Sequence, residues 1–337
     1  MSEYNGMHHW SGILGTGRCL PDKILTNAEL ENMVDTSNEW ILQRTGISER
    51  RILDKNIPLH ELGIKAAEKA LEDAGLTSEA IDLIIVTTEA PDYLTPSMSC
   101  LIQNGIGATK AAAFDINAAC TGSVYGLTIA NQFISTGFYK YVLVVSCEAL
   151  SRIVDWKDRS TCVLFGDGAA ALVVGPVEKG YGILASHIGA DGSLGPNITV
   201  PCCYINDEDL SKRLSENKMV LWMDGSEVFK FAVRVMVQAT KNVLEQTGIS
   251  IDDIKLIIPH QANIRIIDNA AKRLNITSDR IFTNVHKYGN TSSASIPIAL
   301  DESVKEGLIK KGDNIIMVGF GGGLTWAATL IKWSKEG

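Results

Sequence analysis

Four stretches of this chain carry residue types and settings that could support nucleophilic chemistry or hold an oxyanion: Cys120 in DINAACTGSVYGL, His260 in IIPHQANIRII, Asn290 in KYGNTSSASIPIAL, and the glycines of GFGGGLTW. Cys120 stands where an apolar run gives way to a segment with apolar residues at 124, 127, 129, 130, 133 and 134, the pattern of a largely buried helix. A cysteine at a helix N-terminus sits among free backbone N–H groups, which favour thiolate over thiol and can also hold an oxyanion. The plainer alternative is a small buried hydrophobe, the usual state of a free cysteine.

His260 closes an apolar run that reads as a strand, and a histidine there is costly to bury unless hydrogen-bonded or used. It is read equally well as a satisfied structural residue. Asn290 lies in a polar Gly-Asn turn followed by small residues, where a helix cap is the simpler role. Gly321, Gly322 and Gly323 place bare backbone N–H groups at a strand end, in a spacing that is neither the dinucleotide fingerprint nor Walker A. They read as a tight turn that could also cradle an oxyanion. FGDGAAALVV (165–174) reads as a hairpin on its Asp-Gly pair.

Trp40 and Arg44 stand at i, i+4, so one helical turn would present an indole and a guanidinium to a flat, phosphate-bearing ligand, or merely to each other. Arg265, Lys272 and Arg273 share a helix face, either a solvated one or a dock for an anionic carrier. Cys202-Cys203 has neither the spacing nor the histidines of a metal site, and His8-His9 reads as plain N-terminal chain.

The elements that must position these groups come in two copies. Residues 66–88 align without a gap on 239–261, matching Ala66 with Ala239, Gly75 with Gly248 and Ile84 with Ile257. Each copy reads as an amphipathic helix ended by glycine, an acidic link, and an apolar strand covered on both faces. A second match joins 134–146 to 304–319. The expected fold is therefore α/β: a duplicated, layered αβαβα body with pseudo-twofold halves at 1–178 and 179–337. Equivalent strand ends should converge near the pseudo-axis, where sites are favoured. Residues 189–219 and 18–60 break the periodicity; the former reads as a surface excursion able to cap a pocket.

Composition sets the outer bounds. A chain of 337 residues, 45% hydrophobic and 21% charged, can bury a large core, and a net charge of −8 argues against nucleic acid or an anionic membrane as partner. Any acidic partner must meet a local basic patch. Seven cysteines without a Cys-x-x-Cys pair, no signal-like start and no long apolar run make a reducing cytoplasm the expected compartment.

In this order and over these intervals, NAACTGSVYGL, PHQANIRI, YGNTSSASIPIAL and FGGGLTWAATLIKW resemble the β-ketoacyl-acyl carrier protein synthase III family of the thiolase superfamily; TSNEWILQRTGISERR and DRSTCVLFGDGAAA match it too. The resemblance implies that Cys120 is the acyl-accepting nucleophile, with His260 and Asn290 its partners and the amides of Cys120 and Gly322 an oxyanion hole. It implies acyl-CoA as the first substrate and malonyl-acyl carrier protein as the second, with no metal or bound cofactor. Trp40 and Arg159 would sandwich the adenine of coenzyme A, Arg44 would meet its phosphates, Asn263 would lie near the pantetheine, and Phe229 would line the pocket. Lys230, Arg265, Lys272 and Arg273 match the family's docking surface for the carrier protein. A homodimer is implied, in which the residue before the proline of PDYLTPSMSC faces the partner's acyl channel. Many relatives carry phenylalanine there; this chain has Thr95, which implies room for primers longer or more branched than acetyl. A relative acting in secondary metabolism would share these residues, whereas a thiolase would need a second cysteine near the C-terminal glycine turn, and GFGGGLTW has none.

Overall fold

The computed structural model describes residues 9–202 and 220–336. In chain order its strands are β1 (Ser11–Cys19), β2 (Ile24–Thr26), β3 (Glu49–Arg51), β4 (Leu83–Thr87), β5 (Ala112–Ile116), β6 (Val142–Ala149), β7 (Asp167–Pro176), β8 (Gly182–Ala190), β9 (Ile198–Thr199), β10 (Trp222–Met223), β11 (Ile254–Pro259), β12 (Asn314–Gly321) and β13 (Thr325–Lys332).

Two principal sheets have the orders β1-β7-β6-β4-β5 and β11-β12-β13-β8. In the first, β4 is parallel to β5 and β6, while β7 is antiparallel to β6 and β1. In the second, β11 is parallel to β12, while β13 is antiparallel to β12 and β8. The same neighbours thus recur in the same senses, with β11, β12, β13 and β8 as counterparts of β4, β6, β7 and β1. The counterpart of β5 shrinks to a bridge between Ile257 and Ile281. Helices Leu59–Ala74 and Gly225–Thr247 precede the paired strands β4 and β11, and each ends on a left-handed glycine, Gly75 (φ 64°) or Gly248 (φ 69°). A side chain there would be strained, so glycine fixes where each helix stops.

The alternation of side chains along the strands builds the layers. Val142 and Val144 of β6 meet Ile315 and Met317 of β12 in a central core with helices Gly122–Ser135 and Ser295–Lys305. Leu143 and Val145 face outward onto helices Leu59–Ala74 and Met98–Gly105. Ile316 and Val318 face the other way, onto helices Gly225–Thr247 and Ile264–Leu274. The result is helix, sheet, helix, sheet, helix. By the same alternation Gly319 and Gly321 continue the central face of β12, toward Cys120.

The hairpin expected at Asp167-Gly168 does not form. Both residues belong to β7, opposite Ala149 and Glu148 of β6. Asp167 is buried and accepts hydrogen bonds from the Leu53 N–H (2.7 Å), the Ser151 N–H (2.9 Å) and the Ser151 hydroxyl (2.5 Å). Three donors replace the water an Asp-Gly turn would otherwise seek.

The irregular segment 18–60 folds into helices Asn27–Glu31 and Asn38–Thr45 and the β2-β3 ladder. Its anchor is Arg50, fully buried, donating to the Leu25 carbonyl, Asn27 Oδ1 (2.9 Å) and the Val163 carbonyl (2.8 Å). β9, in the 189–219 excursion, pairs with β10 just beyond it; residues 203–219, Cys203 among them, lie outside the described residues, as does His8.

Candidate active site

Cys120 lies in a 3-10 turn, Ala119–Thr121, that runs directly into helix Gly122–Ser135. Ala119 is held at φ 47°, a left-handed conformation unusual for a residue with a side chain and the kind of local strain found at functional turns. The Thr121 hydroxyl holds the turn, 2.6 Å from the Ala118 carbonyl and 3.0 Å from Thr325 Oγ1 beside the glycine turn. β12 closes on the cysteine so tightly that a Cβ on Gly321 would lie 2.6 Å from the Cys120 amide nitrogen. Glycine is therefore required there to bring the two backbones together. The helix N-terminus was expected to favour thiolate over thiol, but burial, and then the Glu89 carboxylate, push the Cys120 thiol well above its ordinary range. The helix N-terminus is present, but removal from water beside an anion outweighs it.

His260 follows β11, with its N–H on the Val318 carbonyl (2.8 Å). A Cβ on Gly319 would touch both His260 Cβ (3.4 Å) and the Cys120 carbonyl oxygen (3.8 Å), so β12 keeps Cys120 and His260 side by side. The imidazole Nδ1 is 2.6 Å from Ser295 Oγ, which also accepts the Gln261 N–H at 3.3 Å. The Ser295 hydroxyl can donate its hydrogen to Nδ1 while accepting from Gln261, and in that tautomer the ring proton sits on Nε2. Nε2 is buried without a hydrogen-bond partner, and burial holds the imidazole down at about 3, so the ring is a neutral donor.

Asn290 is tied by its backbone to the 164–166 segment: its N–H meets the Leu164 carbonyl (2.8 Å) and its carbonyl the Gly166 N–H (3.0 Å). Its Oδ1 accepts the Ser292 N–H at 2.9 Å, an Asx-type turn; the helix cap expected of Asn290 falls instead to Thr291, the residue after it. That bond also orients the amide, leaving the Nδ2 hydrogens as donors.

One cavity of about 280 Å³ is lined by Cys120, His260, Asn290, Gly321 and Gly322, and also by Trp40, Arg44, Asn263 and Phe229. Ile198, Leu221 and Met223, which flank the excursion's undescribed part, form some of its wall. Asn263 caps helix Ile264–Leu274 through Oδ1 on the Arg265 N–H (2.8 Å) and donates Nδ2 to the Arg44 carbonyl (3.0 Å). Arg159 is not among the lining residues. Its guanidinium lies 5.4 Å from the Trp40 ring centre and donates to the Asp35 carbonyl at 2.7 Å. A base between two planes needs about 7 Å, two van der Waals contacts, so a purine there requires Arg159 to swing away.

Lys230, Arg265, Lys272 and Arg273 are exposed on helices Gly225–Thr247 and Ile264–Leu274, with Lys230 paired to Glu227 (2.7 Å) and Arg265 over the Phe229 ring (5.7 Å). Arg234, one turn beyond Lys230, joins the same region. Thr95 is exposed and outside the Cys120 cavity. Its neighbours Tyr93 and Leu94 line a second cavity of about 710 Å³, and Glu89, Ile198 and Gly322 form the partition between the two.

Two family profiles match the chain: 3-oxoacyl-[acyl-carrier-protein] synthase III over residues 114–192, and the C-terminal region of the same enzyme over 244–333. A β-ketoacyl-[acyl-carrier-protein] synthase III from Caldanaerobacter subterraneus is 55% identical over 325 residues, covering 96% of this chain and 98% of the relative. The chain belongs to the 3-oxoacyl-[acyl-carrier-protein] synthase III family. Solved synthase III structures agree: the Aquifex aeolicus protein is 47% identical with a TM-score of 0.89, covering 96% of this chain and 100% of that one. The Thermus thermophilus protein is 45% identical with a TM-score of 0.91, over 96% and 99%. The duplicated, layered body is thus the thiolase-like fold.

Sequence reasoning missed a pair of carboxylates in this synthase III site. Glu89, two residues past β4, lies 3.8 Å from Cys120 Sγ and accepts a hydrogen bond from the Ser292 hydroxyl. Glu148, fully buried on β6, accepts from the Glu89 N–H (3.0 Å) and the Ser293 hydroxyl (2.5 Å). Burial raises both, and the Glu89 charge helps push Glu148 up to about 8. The available signal was an acidic residue immediately beyond a strand that reads as wholly buried.

Proposed function

We propose that this synthase III takes an acyl group from a coenzyme A thioester onto Cys120 and condenses it, with loss of carbon dioxide, with malonyl-acyl carrier protein. The observation that carries the reading is the convergence on one cavity of a cysteine, a histidine whose unpartnered Nε2 is a neutral donor, and an asparagine whose Oδ1 is already engaged. Splitting the reaction through a thioester on Cys120 replaces one hard step by two easier ones. The amides of Cys120 and Gly322 would hold the oxyanion of each tetrahedral intermediate, and Nε2 and Nδ2 the enolate oxygen formed on decarboxylation.

Trp40, Arg44, Asn263 and Phe229 would receive coenzyme A as substrate, Arg159 would turn onto its base, and no metal or bound cofactor enters the steps. Lys230, Arg265, Lys272 and Arg273 would receive the acidic carrier protein, which reconciles a cationic contact with a net charge of −8. We also propose a cytoplasmic homodimer, each protomer built of two halves, 1–178 and 179–337, that join between β7 and β8. In that dimer Thr95 would shape the partner's acyl channel, so C4 to C8 and branched primers should exceed acetyl in kcat/KM. Among the described residues no helix is long and apolar enough to cross a membrane.

The test supplies purified protein with acyl-CoA and malonyl-carrier protein and follows β-ketoacyl-carrier protein and carbon dioxide. His260→Ala and Asn290→Ala should still form the acyl-enzyme but lose condensation. Retained condensation in both variants refutes their role, and acetyl remaining preferred, with Thr95→Phe leaving the primer order unchanged, refutes that of Thr95.

A further inference from the structure

We infer that Glu89 is the general base of the acylation half-reaction, taking the thiol proton of Cys120 as its sulfur attacks the incoming thioester. Three observations lead there. Cys120 is held as a neutral thiol by burial beside an anion, so its proton must leave for the sulfur to react. His260 cannot take it while its proton sits on Nε2 and Ser295 donates to Nδ1. Among the described residues the Ser292 hydroxyl also reaches Cys120, but it donates to Glu89, and the carboxylate in contact with the thiol is Glu89 Oε1, 3.8 Å from Sγ, on the wall of the same cavity.

The surroundings suit a proton acceptor. The Ser292 hydroxyl holds the Glu89 carboxylate, and Ser293, the next residue, holds Glu148. Around Glu89 stand the Cys120 thiol before helix Gly122–Ser135, Glu148 on β6, neutral His260 after β11, and Arg44 elsewhere on the cavity wall. Among the described residues neither carboxylate has an ion-pair partner. Removal from water raises Glu89 above the ordinary carboxylate range, although the Ser292 hydroxyl and the Cys120 thiol pull it back, which makes it a stronger base than a solvated glutamate.

The step balances. The Cys120 S–H bond breaks and its proton goes to Glu89; the sulfur's electron pair forms the bond to the acyl carbon. When the tetrahedral intermediate collapses, the acyl–S bond to coenzyme A breaks, and the departing thiolate takes the proton from Glu89 and leaves as free thiol. Carboxylate and protein charge are then restored.

This inference rests on Cys120 being the acyl acceptor, and the experiment separates the two. Single-turnover release of the coenzyme A thiol from acetyl-CoA and butyryl-CoA is followed across pH 5 to 9. The wild-type protein should show an acid limb set by Glu89. Glu89→Gln, of the same shape, should slow release about 100-fold or more and lose that limb. The decarboxylative half-reaction of enzyme already acylated should fall by much less, a split that a general loss of structure would not give. Ser292→Ala keeps the carboxylate but removes its donor, and should move the acid limb to higher pH; this holds the inference to account even if Glu89→Gln does not fold. Release by Glu89→Gln within threefold of wild type with the same profile, or an unmoved limb in Ser292→Ala, overturns the role of Glu89 alone. No release by wild type overturns both proposals.

Discussion

Replacing Gly321 by alanine should disable acylation with little harm to the fold. The added Cβ would lie 2.6 Å from the Cys120 amide nitrogen and 3.1 Å from Cys120 Cβ, whereas ordinary contact starts near 3.4 Å. Relief requires β12 or the 119–121 turn to retreat by about 0.8 Å, and these position the amides of Gly322 and Cys120 proposed as the oxyanion hole. Misplacement of about 1 Å at reacting atoms is worth on the order of 100-fold, while overpacking at one methyl costs about 1–3 kcal/mol. Stopped-flow release of the coenzyme A thiol from acyl-CoA should therefore fall about 100-fold in Gly321→Ala, with a melting temperature lowered by only a few degrees. Gly322→Ala is the comparison. Its Cβ would meet nothing closer than Ala119 Cβ at 3.4 Å and its N–H is kept, so its loss should stay under about tenfold. Equal losses in the two variants, or full acylation by Gly321→Ala, would refute the close approach of β12 as the device that places the Cys120 amide.

Glu148→Gln should stabilise the protein increasingly as pH rises. A carboxyl raised from 4.5 to about 8 by burial binds more protons folded than unfolded, so its contribution falls between those values, by as much as about 5 kcal/mol. The melting-temperature gap over wild type should widen from pH 5 to pH 8, and a constant gap contradicts it. Ser295→Ala frees the His260 ring to change tautomer; condensation should drop about tenfold or more while acylation changes less, and equal effects on both steps would remove Ser295 as the residue that orients the ring. Arg50→Ala strands the buried carbonyls of Leu25 and Val163 and Asn27 Oδ1, and should cost about 3 kcal/mol or more in urea unfolding. A loss under 1 kcal/mol would show that water replaces the guanidinium.

The duplicated core was legible because β4 and β11 are nearly uninterrupted apolar runs whose preceding helices stop on Gly75 and Gly248. Cys120, His260 and Asn290 were legible as types at strand ends and turns, and their sharing of one cavity follows from that duplication. What stayed hidden depends on partners remote in sequence. Ser292 meets Glu89 across 203 residues, Arg50 meets Val163 across 113, and Asp167 meets Leu53 across 114. No local pattern marks such pairs, so Asp167 read as a turn residue and Glu89 drew no attention. The helix N-terminus at Cys120 was foreseen, but the charge state it should favour was reversed by a carboxylate and a depth of burial that spacing does not reveal.

The most direct measurement is the intact mass of the protein after brief incubation with acetyl-CoA or a longer acyl-CoA, with the modified peptide located by fragmentation. The mass should rise by one acyl group, carried on Cys120, and Cys120→Ala should gain none. An unmodified wild-type protein, or an adduct that persists in Cys120→Ala, would contradict the assignment of Cys120 as the acyl carrier.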